Sequence, residues 1–207
     1  MDGLWPGEMA DKAENNFKVT LLRLRKSLET DIHPTFGSSY IHLHNNLVFL
    51  DPEFTRTDAD EFLIIVDKGN WKERAGDTRG AVEEYAKALD IYRGDFLPLE
   101  TSLPGVDRRR DELKKTFIET LLRLTKLSEK QGSLKKAAGY CRQALEADPL
   151  EEEACRSFMR LSLILGNHNE ALRVFETLKK NLQKELKSQP DPQTQALYRQ
   201  IREKAVQ

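Results

Sequence analysis

One helical face near the start of the sequence carries side chains that could read DNA. At about 100° per residue, a helix would bring them within about a third of its circumference. They are Lys12, Asn15, Val19, Leu22, Arg23 and Lys26, with Asn16 beside them. Asparagine can pair with adenine and arginine with guanine in the major groove, and an exposed valine can meet a thymine methyl group. Lysines at the ends of the face suit phosphates, which position a protein without specifying a sequence.

Two elements must position this face. The first is a predicted helix over 9–29, whose other side has an apolar stripe with the 3–4 spacing of a buried face. The stripe consists of Ala10, Ala13, Phe17, Leu21, Leu24 and Leu28. The second is a hairpin around Asn45-Asn46, a pair that tolerates positive φ and suits a tight turn, after a loop marked by Pro34 and Gly37. The hairpin could act as a wing, but an ordinary solvated helix face packed on a small hairpin is the alternative interpretation.

Three glycines open similar patterns further along the chain. Each stands five residues before an alanine and nine before a larger apolar residue. The sets are Gly76, Ala81 and Tyr85; Gly132, Ala137 and Cys141; and Gly166, Ala171 and Phe175. The last two glycines are 34 residues apart, the period of a tetratricopeptide repeat, whereas the first interval of 56 indicates an insertion. The pattern predicts stacked helix pairs, a class of scaffold that binds rather than catalyses.

The C-terminal part of the chain is predicted to be helical throughout. Helices are expected near 58–74, 77–92, 106–130, 133–147, 151–165, 168–187 and 192–205. Asp58 or Asp60 is the predicted cap of the first of them. A composition change near 51–57 divides the chain into 1–52 and 53–207. Cys141 and Cys155 fall inside helical patterns and are predicted to be core residues rather than a disulfide or reactive thiols.

Composition excludes several classes of function. The 207 residues carry a net charge of −1, so any nucleic-acid binding must rest on a local patch. The sequence has no apolar run long enough to span a membrane and no signal-peptide pattern, which favours a cytoplasmic protein. We find no phosphate loop, nucleophile motif or metal-spaced Cys/His set, so we expect no enzyme activity, no cofactor and no metal. His42 and His44 point the same way on one strand but lack a third ligand.

The longer insertion contains a basic cluster, Arg108-Arg109-Arg110 with Lys114-Lys115. Such a cluster could touch DNA or an acidic partner surface. Because acidic residues stand beside it in the sequence, a solvated helix end with balanced charge is the favoured interpretation.

Several motifs, in this order, resemble a known family of regulators. Leu4-Trp5-Pro6 and the run from Ala13 to Leu28 resemble the recognition-helix region of OmpR-type winged-helix regulators, most of all the SARP branch of antibiotic-regulatory activators. Residues 40–52 and 58–62 resemble that family's wing and linker. The remainder is similar to the bacterial transcriptional activator domain. The motifs that carry this second resemblance are Ala88-Leu89, Tyr92-Arg93-Gly94-Asp95-Phe96-Leu97-Pro98, Arg110 to Leu113, Ala144 to Glu151 and Glu170-Ala171-Leu172.

The resemblance implies a mostly α fold, in which a tetratricopeptide-like helical repeat domain (53–207) follows a partial winged helix (1–52). By position, Asn16, Val19, Thr20 and Arg23 would face the DNA groove, and Lys12, Asn15 and Lys26 would contact phosphates or flanking DNA. The repeat domain would bind other proteins, such as RNA polymerase or a second copy in a dimer.

The resemblance also implies missing elements, because a sheet and two helices precede the Leu-Trp-Pro motif in such winged helices. We therefore expect a fragment of a regulator, or a protein that has lost that part, in which the apolar stripe from Phe17 to Leu28 lacks some of its packing partners. The competing hypothesis is a tetratricopeptide-like interaction scaffold without DNA binding, in which the hairpin segment is an N-terminal cap.

Overall fold

A computed structural model describes residues 5, 7–29, 40–45, 47–99 and 104–204. The part of the chain that it describes contains eight helices and one two-stranded antiparallel hairpin, which confirms the predicted mostly α class. Five residues of the sequence motifs lie outside the described residues: Leu4, Pro6, Pro34, Gly37 and Asn46. The elements are α1 (Ala10–Leu28), β1 (Ile41–His44), β2 (Leu47–Leu50), α2 (Asp58–Arg74), α3 (Thr78–Ile91), α4 (Pro104–Lys130), α5 (Leu134–Ala147), α6 (Glu152–Ile164), α7 (His168–Glu185) and α8 (Pro192–Lys204).

Helices α2 to α7 form three consecutive helical hairpins, α2/α3, α4/α5 and α6/α7, and α8 packs against the last of them. The three repeat glycines make the turns, with φ angles of 81°, 73° and 77°. After each glycine, the next N–H donates to the carbonyl five residues earlier, which ends the first helix in a left-handed cap. These bonds run from Asp77 to Lys72, from Ser133 to Ser128 and from Asn167 to Ser162, at 2.9, 2.8 and 2.7 Å. None of the described helices is long and apolar enough to cross a membrane.

The paired helices approach closely because small residues stand at their contacts. Ala81, Ala137 and Ala171, the three predicted alanines, are fully buried. In the first hairpin, Gly69 of α2 faces the ring of Tyr85 of α3 so closely that a methyl group there would lie 2.5 Å from a ring carbon. The spacing of small residues predicted from the sequence therefore marks the places where helices touch.

The Tyr85 hydroxyl is held at the same contact by polar groups of α2. It lies 2.8 Å from Asn70 Oδ1 and 2.7 Å from Glu73 Oε2. Burial, with the neighbouring Glu73 carboxylate, raises the pKa of Tyr85 well above its usual range, so the hydroxyl stays protonated and can donate. Arg123 of α4 also contacts Glu73, at 3.1 Å, which extends the cluster to the second hairpin.

Helix α1 and the β-hairpin form a smaller unit with little buried apolar surface. The strands pair with Ile41 opposite Leu50, and Asn45 adopts the positive φ predicted for the turn. Of the predicted apolar stripe, only Ala13 and Leu21 are buried, whereas Leu24 and Leu28 are 44% and 52% exposed. Among the described residues the stripe is therefore only partly buried: the prediction of one continuous buried face is wrong, whereas the expectation that the stripe lacks some of its packing partners agrees with the exposure of Leu24 and Leu28.

The predicted cap of α2 is also wrong. Thr57, not Asp58 or Asp60, caps the helix: its hydroxyl oxygen accepts from the Asp60 N–H and its hydroxyl proton is donated to the Asp60 carboxylate. The Thr57 hydroxyl thus satisfies one free N–H of the first turn, and the Asp60 carboxylate fixes the orientation of that hydroxyl. The hydroxyl of the residue just before the helix can accept from a free N–H of the first turn. Asp58 and Asp60 already lie inside the helix, so neither of them is the N-cap residue.

We expect Gly69→Ala to destabilise the protein by about 1–3 kcal/mol, because the added methyl group would overpack the Tyr85 ring. Gly139→Ala in α5 is the matched control, since a methyl group there meets nothing within 4 Å. The control should be neutral or more stable by about 0.5–1 kcal/mol, as alanine favours a helix interior over glycine. Urea unfolding of both variants measures the difference, and equal stability of the two would contradict the proposed close contact.

Candidate nucleic-acid interface

The structure places all seven predicted DNA-contacting residues on one side of the continuous helix α1. By helical position they span about 140° of its circumference. Six are exposed and Asn16 is half-buried; the exposed ones are Lys12, Asn15, Val19, Thr20, Arg23 and Lys26. A single helix of this length presents enough side chains for one major groove. Their contact with DNA stays a prediction.

Glu8, just before α1, contacts two of the seven side chains. Its carboxylate accepts from Lys12 Nζ at 3.1 Å and from Asn16 Nδ2 at 3.0 Å. Asn15 and Arg23, by contrast, make no side-chain hydrogen bond or ion pair within the described part of the chain. The Glu8 carboxylate therefore neutralises the charge of Lys12 at one end of the face. It also binds the Asn16 amide, which the prediction assigns to contact with a DNA base. This contact was not predicted, although the i, i+4 spacing of Glu8 and Lys12 in the sequence indicates it.

The C-terminal end of α1 positions the hairpin through hydrogen bonds to a single residue, Ile41. Arg25 donates to the Ile41 carbonyl oxygen from Nε at 3.2 Å and from Nη2 at 2.8 Å. The Glu29 carboxylate accepts from the Ile41 N–H at 3.1 Å. Because the backbone groups of β1's first residue are bonded to Arg25 of α1 and to Glu29, the C-cap of α1, the end of the helix and the strand keep a fixed relation. This arrangement presents the hairpin beside the helix, as the wing prediction requires.

The two strand histidines differ in their surroundings. His42 is half-buried; its Nε2 lies 2.8 Å from Asp51 Oδ2, and its ring stacks on Phe49 with centroids 5.3 Å apart. His44 is exposed at the end of β1. Among the described residues, no group of three or more His, Cys, Asp or Glu side chains is arranged to hold a metal ion. His44 therefore lies on an exposed face of the hairpin, whereas the contacts of His42 with Asp51 and Phe49 stabilise the base of the hairpin.

The first helices of the three helical hairpins form a second candidate surface. Ion pairs link them in order: Arg123 of α4 lies 3.1 Å from Glu73 of α2, and Lys126 of α4 lies 2.8 Å from Glu153 of α6. A cleft of about 210 Å³ lies between α2 and α4 and is lined mostly by polar side chains. The surface is charged and exposed, which suits contact with another protein more than enclosure of a small molecule.

The three arginines of the basic cluster on α4 bind groups of the same chain. Arg110 donates to the carbonyl oxygens of Phe96 and Leu97 at 2.8 and 2.7 Å. Arg109 lies 3.4 Å from an Asp60 carboxylate oxygen. Arg108 lies 3.8 Å from the Glu112 carboxylate. The favoured interpretation, in which acidic neighbours balance this cluster, agrees with these contacts.

The two cysteines are buried, as predicted. Burial raises the pKa of the Cys141 thiol to about 11 and that of the Cys155 thiol to about 12. Thiols with such pKa values are almost wholly protonated at neutral pH and are poor nucleophiles. Cys141 packs beside Thr125, and Cys155 lies beside Met159. These residues therefore serve the packing of the helix pairs.

Comparison with known proteins gives consistent matches. Residues 57–202 match the bacterial transcriptional activator domain. The chain is 26% identical over 200 residues to the transcriptional regulator RedD of Streptomyces coelicolor, an alignment that covers 92% of this chain and 54% of RedD.

Two solved structures share the fold. Mycobacterium tuberculosis EmbR, solved in complex with a low affinity phosphopeptide, matches with a TM-score of 0.75 and 18% identity, over 98% of this chain and 53% of EmbR. The C-terminal TPR-containing domain of a Plasmodium falciparum FK506-binding protein matches with a TM-score of 0.51 and 17% identity, over 73% of this chain and 95% of that domain.

The chain thus spans about half the length of RedD and of EmbR. The match to the activator domain covers all of α2 to α7 and most of α8, including the three glycine turns and the segment 92–98. The similarity to RedD extends over nearly the whole chain. On these grounds, this chain belongs to the bacterial transcriptional activator domain family.

Proposed function

We propose that this chain is part of a cytoplasmic transcriptional regulator that binds DNA through residues 1–52 and other proteins through residues 53–207. One observation carries the DNA-binding half: seven side chains suited to DNA lie on one side of α1, and the end of that helix is bonded to the hairpin. Membership of the activator-domain family and the similarity to RedD, itself a transcriptional regulator, support the assignment.

The chemistry of the face divides into base readers and phosphate contacts. Arg23 presents a planar guanidinium that can donate two hydrogen bonds to guanine, and Asn16 presents an amide that can pair with adenine. The methyl groups of Val19 and Thr20 can contact thymine. Lys12, Asn15 and Lys26 would contact phosphates or flanking DNA. Each lysine neutralises one phosphate, so its contribution depends on salt.

The helical repeats would bind the protein partner, either RNA polymerase or a second copy of the chain. The surface formed by α2, α4 and α6 supports this proposal, because it is exposed and charged and because rigid helical hairpins hold it. A tetratricopeptide-like scaffold without DNA binding is the second candidate. The likeness of the repeats to the fold of a TPR-containing domain favours this second candidate. A scaffold of this kind predicts that substitutions on α1 do not change the affinity of the chain for DNA.

We expect Arg23→Ala and Asn16→Ala to weaken binding to specific DNA. Duplexes selected from a random library by the wild-type chain provide the probe, and anisotropy titrations give the affinity. Loss of one good base contact costs about 1–3 kcal/mol, so each variant should bind about 5- to 150-fold more weakly. Lys26→Ala should lower the slope of log affinity against log salt concentration by about 1.

Arg79→Ala is the matched control for charge, because Arg79 is an exposed cation on α3 and is paired only with Glu83 within the described residues. It should bind the selected duplexes like the wild type. Unchanged affinity in both the Arg23 and the Asn16 variant, or failure of the wild type to enrich any duplex, would overturn the DNA-binding proposal and favour the scaffold.

Glu8→Gln should strengthen DNA binding by a few-fold, because it removes a negative charge from the end of the proposed DNA-binding face and frees Lys12. Glu14→Gln is the control, since Glu14 pairs with Lys18 on another side of α1. The same anisotropy titration at low salt measures both variants. Equal affinity of the two would contradict a role for Glu8 at the interface.

A further inference from the structure

A groove runs between α5 and α7, the second helices of the last two helical hairpins. It consists of two spaces of about 300 and 470 Å³, and Phe158 of α6 lines both of them. Leu145 of α5 and Val174 of α7, both half-buried, line the smaller space. The larger space lies beside Gly139 of α5, where a methyl group would meet nothing within 4 Å. The groove therefore offers apolar surface that a side chain of a partner can cover.

A guanidinium group crosses this groove. Arg142 Nη2 donates to Glu170 Oε1 at 2.9 Å, and the guanidinium carbon lies 5.4 Å from the centroid of the Phe158 ring. Within the described residues, the Arg142 side chain makes no other hydrogen bond, although a guanidinium carries five N–H donors. The side chain is also 56% exposed. Because a ring and a carboxylate hold it in place, this guanidinium is preorganised to receive a second carboxylate from a partner.

A row of cations continues along the rim of the groove on α7. Arg173 lines the smaller space, and Lys180 and Lys184 follow it after seven and eleven residues. These spacings place the three side chains within about 40° of each other around the helix axis and along about 16 Å of its length. All three are exposed, and none forms an ion pair within the described part of the chain. The rim is therefore suited to a partner whose carboxylates are spread over a similar length.

The charges of the two helices favour an acidic partner. Together α5 and α7 carry seven lysines and arginines against four glutamates, whereas the whole chain has a net charge of −1. Three cations line the groove, namely Lys135, Arg142 and Arg173. Two glutamates also line it: Glu170 is bound to Arg142, and Glu146 has no partner among the described residues. The apolar surface between these charges favours a protein over DNA, because a phosphate backbone has no apolar side chain to place there.

We propose that the groove between α5 and α7 binds an acidic segment of a protein partner. One carboxylate of the segment accepts from Arg142 and a second accepts from Arg173. An apolar side chain between these carboxylates packs against Leu145 and Val174. The lysines further along α7 attract the remaining negative charge of the segment.

This inference rests on the proposed binding of a protein partner by residues 53–207 and does not depend on DNA binding by α1. It concerns a second surface of the repeats. Around the axis of α6, Phe158 lies about 140° from Glu153, which belongs to the surface formed by α2, α4 and α6. Two different partner segments can therefore contact the repeats at the same time.

The test begins with a random peptide library displayed on phage and selected on the immobilised chain. Peptides rich in aspartate and glutamate around a large apolar residue should be enriched. NMR titration of the ¹⁵N-labelled chain with a selected synthetic peptide should shift the Gly139 and Val174 amides and leave that of Gly76, in a remote turn, unchanged. Enrichment without acidic residues, no enrichment, or shifts confined to other parts of the chain would overturn the proposal.

Arg173→Glu should weaken the selected peptide about tenfold or more, because an attraction is replaced by a repulsion. Lys68→Glu is the matched control: Lys68 is an exposed cation of α2 outside the groove, and its reversal should leave the affinity unchanged. Anisotropy titrations of the labelled peptide measure both variants. Weakening by Lys68→Glu alone would locate the peptide on another surface and overturn the groove while leaving protein binding intact. Weaker binding of the selected DNA duplexes by Arg173→Glu, with peptide affinity unchanged, would assign the cations to DNA and also overturn it.

Gly139→Leu tests the shape of the groove without changing a charge. The leucine side chain enters the larger space and should weaken the peptide about tenfold or more, whereas Gly139→Ala adds one methyl group and should change the affinity little. Neither variant should lower the melting temperature, because both residues favour a helix interior over glycine and the added atoms enter open space. Wild-type affinity of a folded Gly139→Leu variant would show that the peptide lies outside the groove and would overturn the proposal.

Discussion

The close approach of paired helices is the constraint on which the repeat domain depends. Two helices can touch at their backbones only where side chains are small, and the chain can reverse within a few residues only where one residue adopts a left-handed conformation. The buried Ala81, Ala137 and Ala171 meet the first requirement, and Gly76, Gly132 and Gly166 meet the second. The charged surface of α2, α4 and α6 follows from this stacking.

Helix α1 and the hairpin are held together by a different kind of interaction. Their contact includes hydrogen bonds from Arg25 to the Ile41 carbonyl oxygen and from the Ile41 N–H to the Glu29 carboxylate, and large apolar side chains on both elements stay exposed. Directional bonds fix an orientation with little buried area, whereas the helix pairs gain their stability from burial. The polar face of α1 therefore has a defined orientation relative to the hairpin, although this unit has only a small core.

The interruption between the first and second helix pairs has a local structure of its own. The longer interval between Gly76 and Gly132 accommodates the segment 92–98 and the long helix α4. Arg110 of α4 reaches back to that segment and holds Leu97 in a left-handed conformation. These hydrogen bonds connect the segment 92–98 to the first part of α4.

Local spacing along the sequence determined the helices, their glycine turns and the buried alanines, since these depend on helical periodicity and backbone conformation. It also determined which side chains share one face of α1. The partners of the long polar side chains were decided only by tertiary structure. The sequence places Arg110 in a basic cluster and does not indicate its hydrogen-bond partners. In the structure it donates to carbonyl oxygens 13 and 14 residues away. Glu73 and Arg123 are 50 residues apart. A flexible charged side chain can reach many groups, and the folded chain alone selects which of them lies within hydrogen-bonding distance.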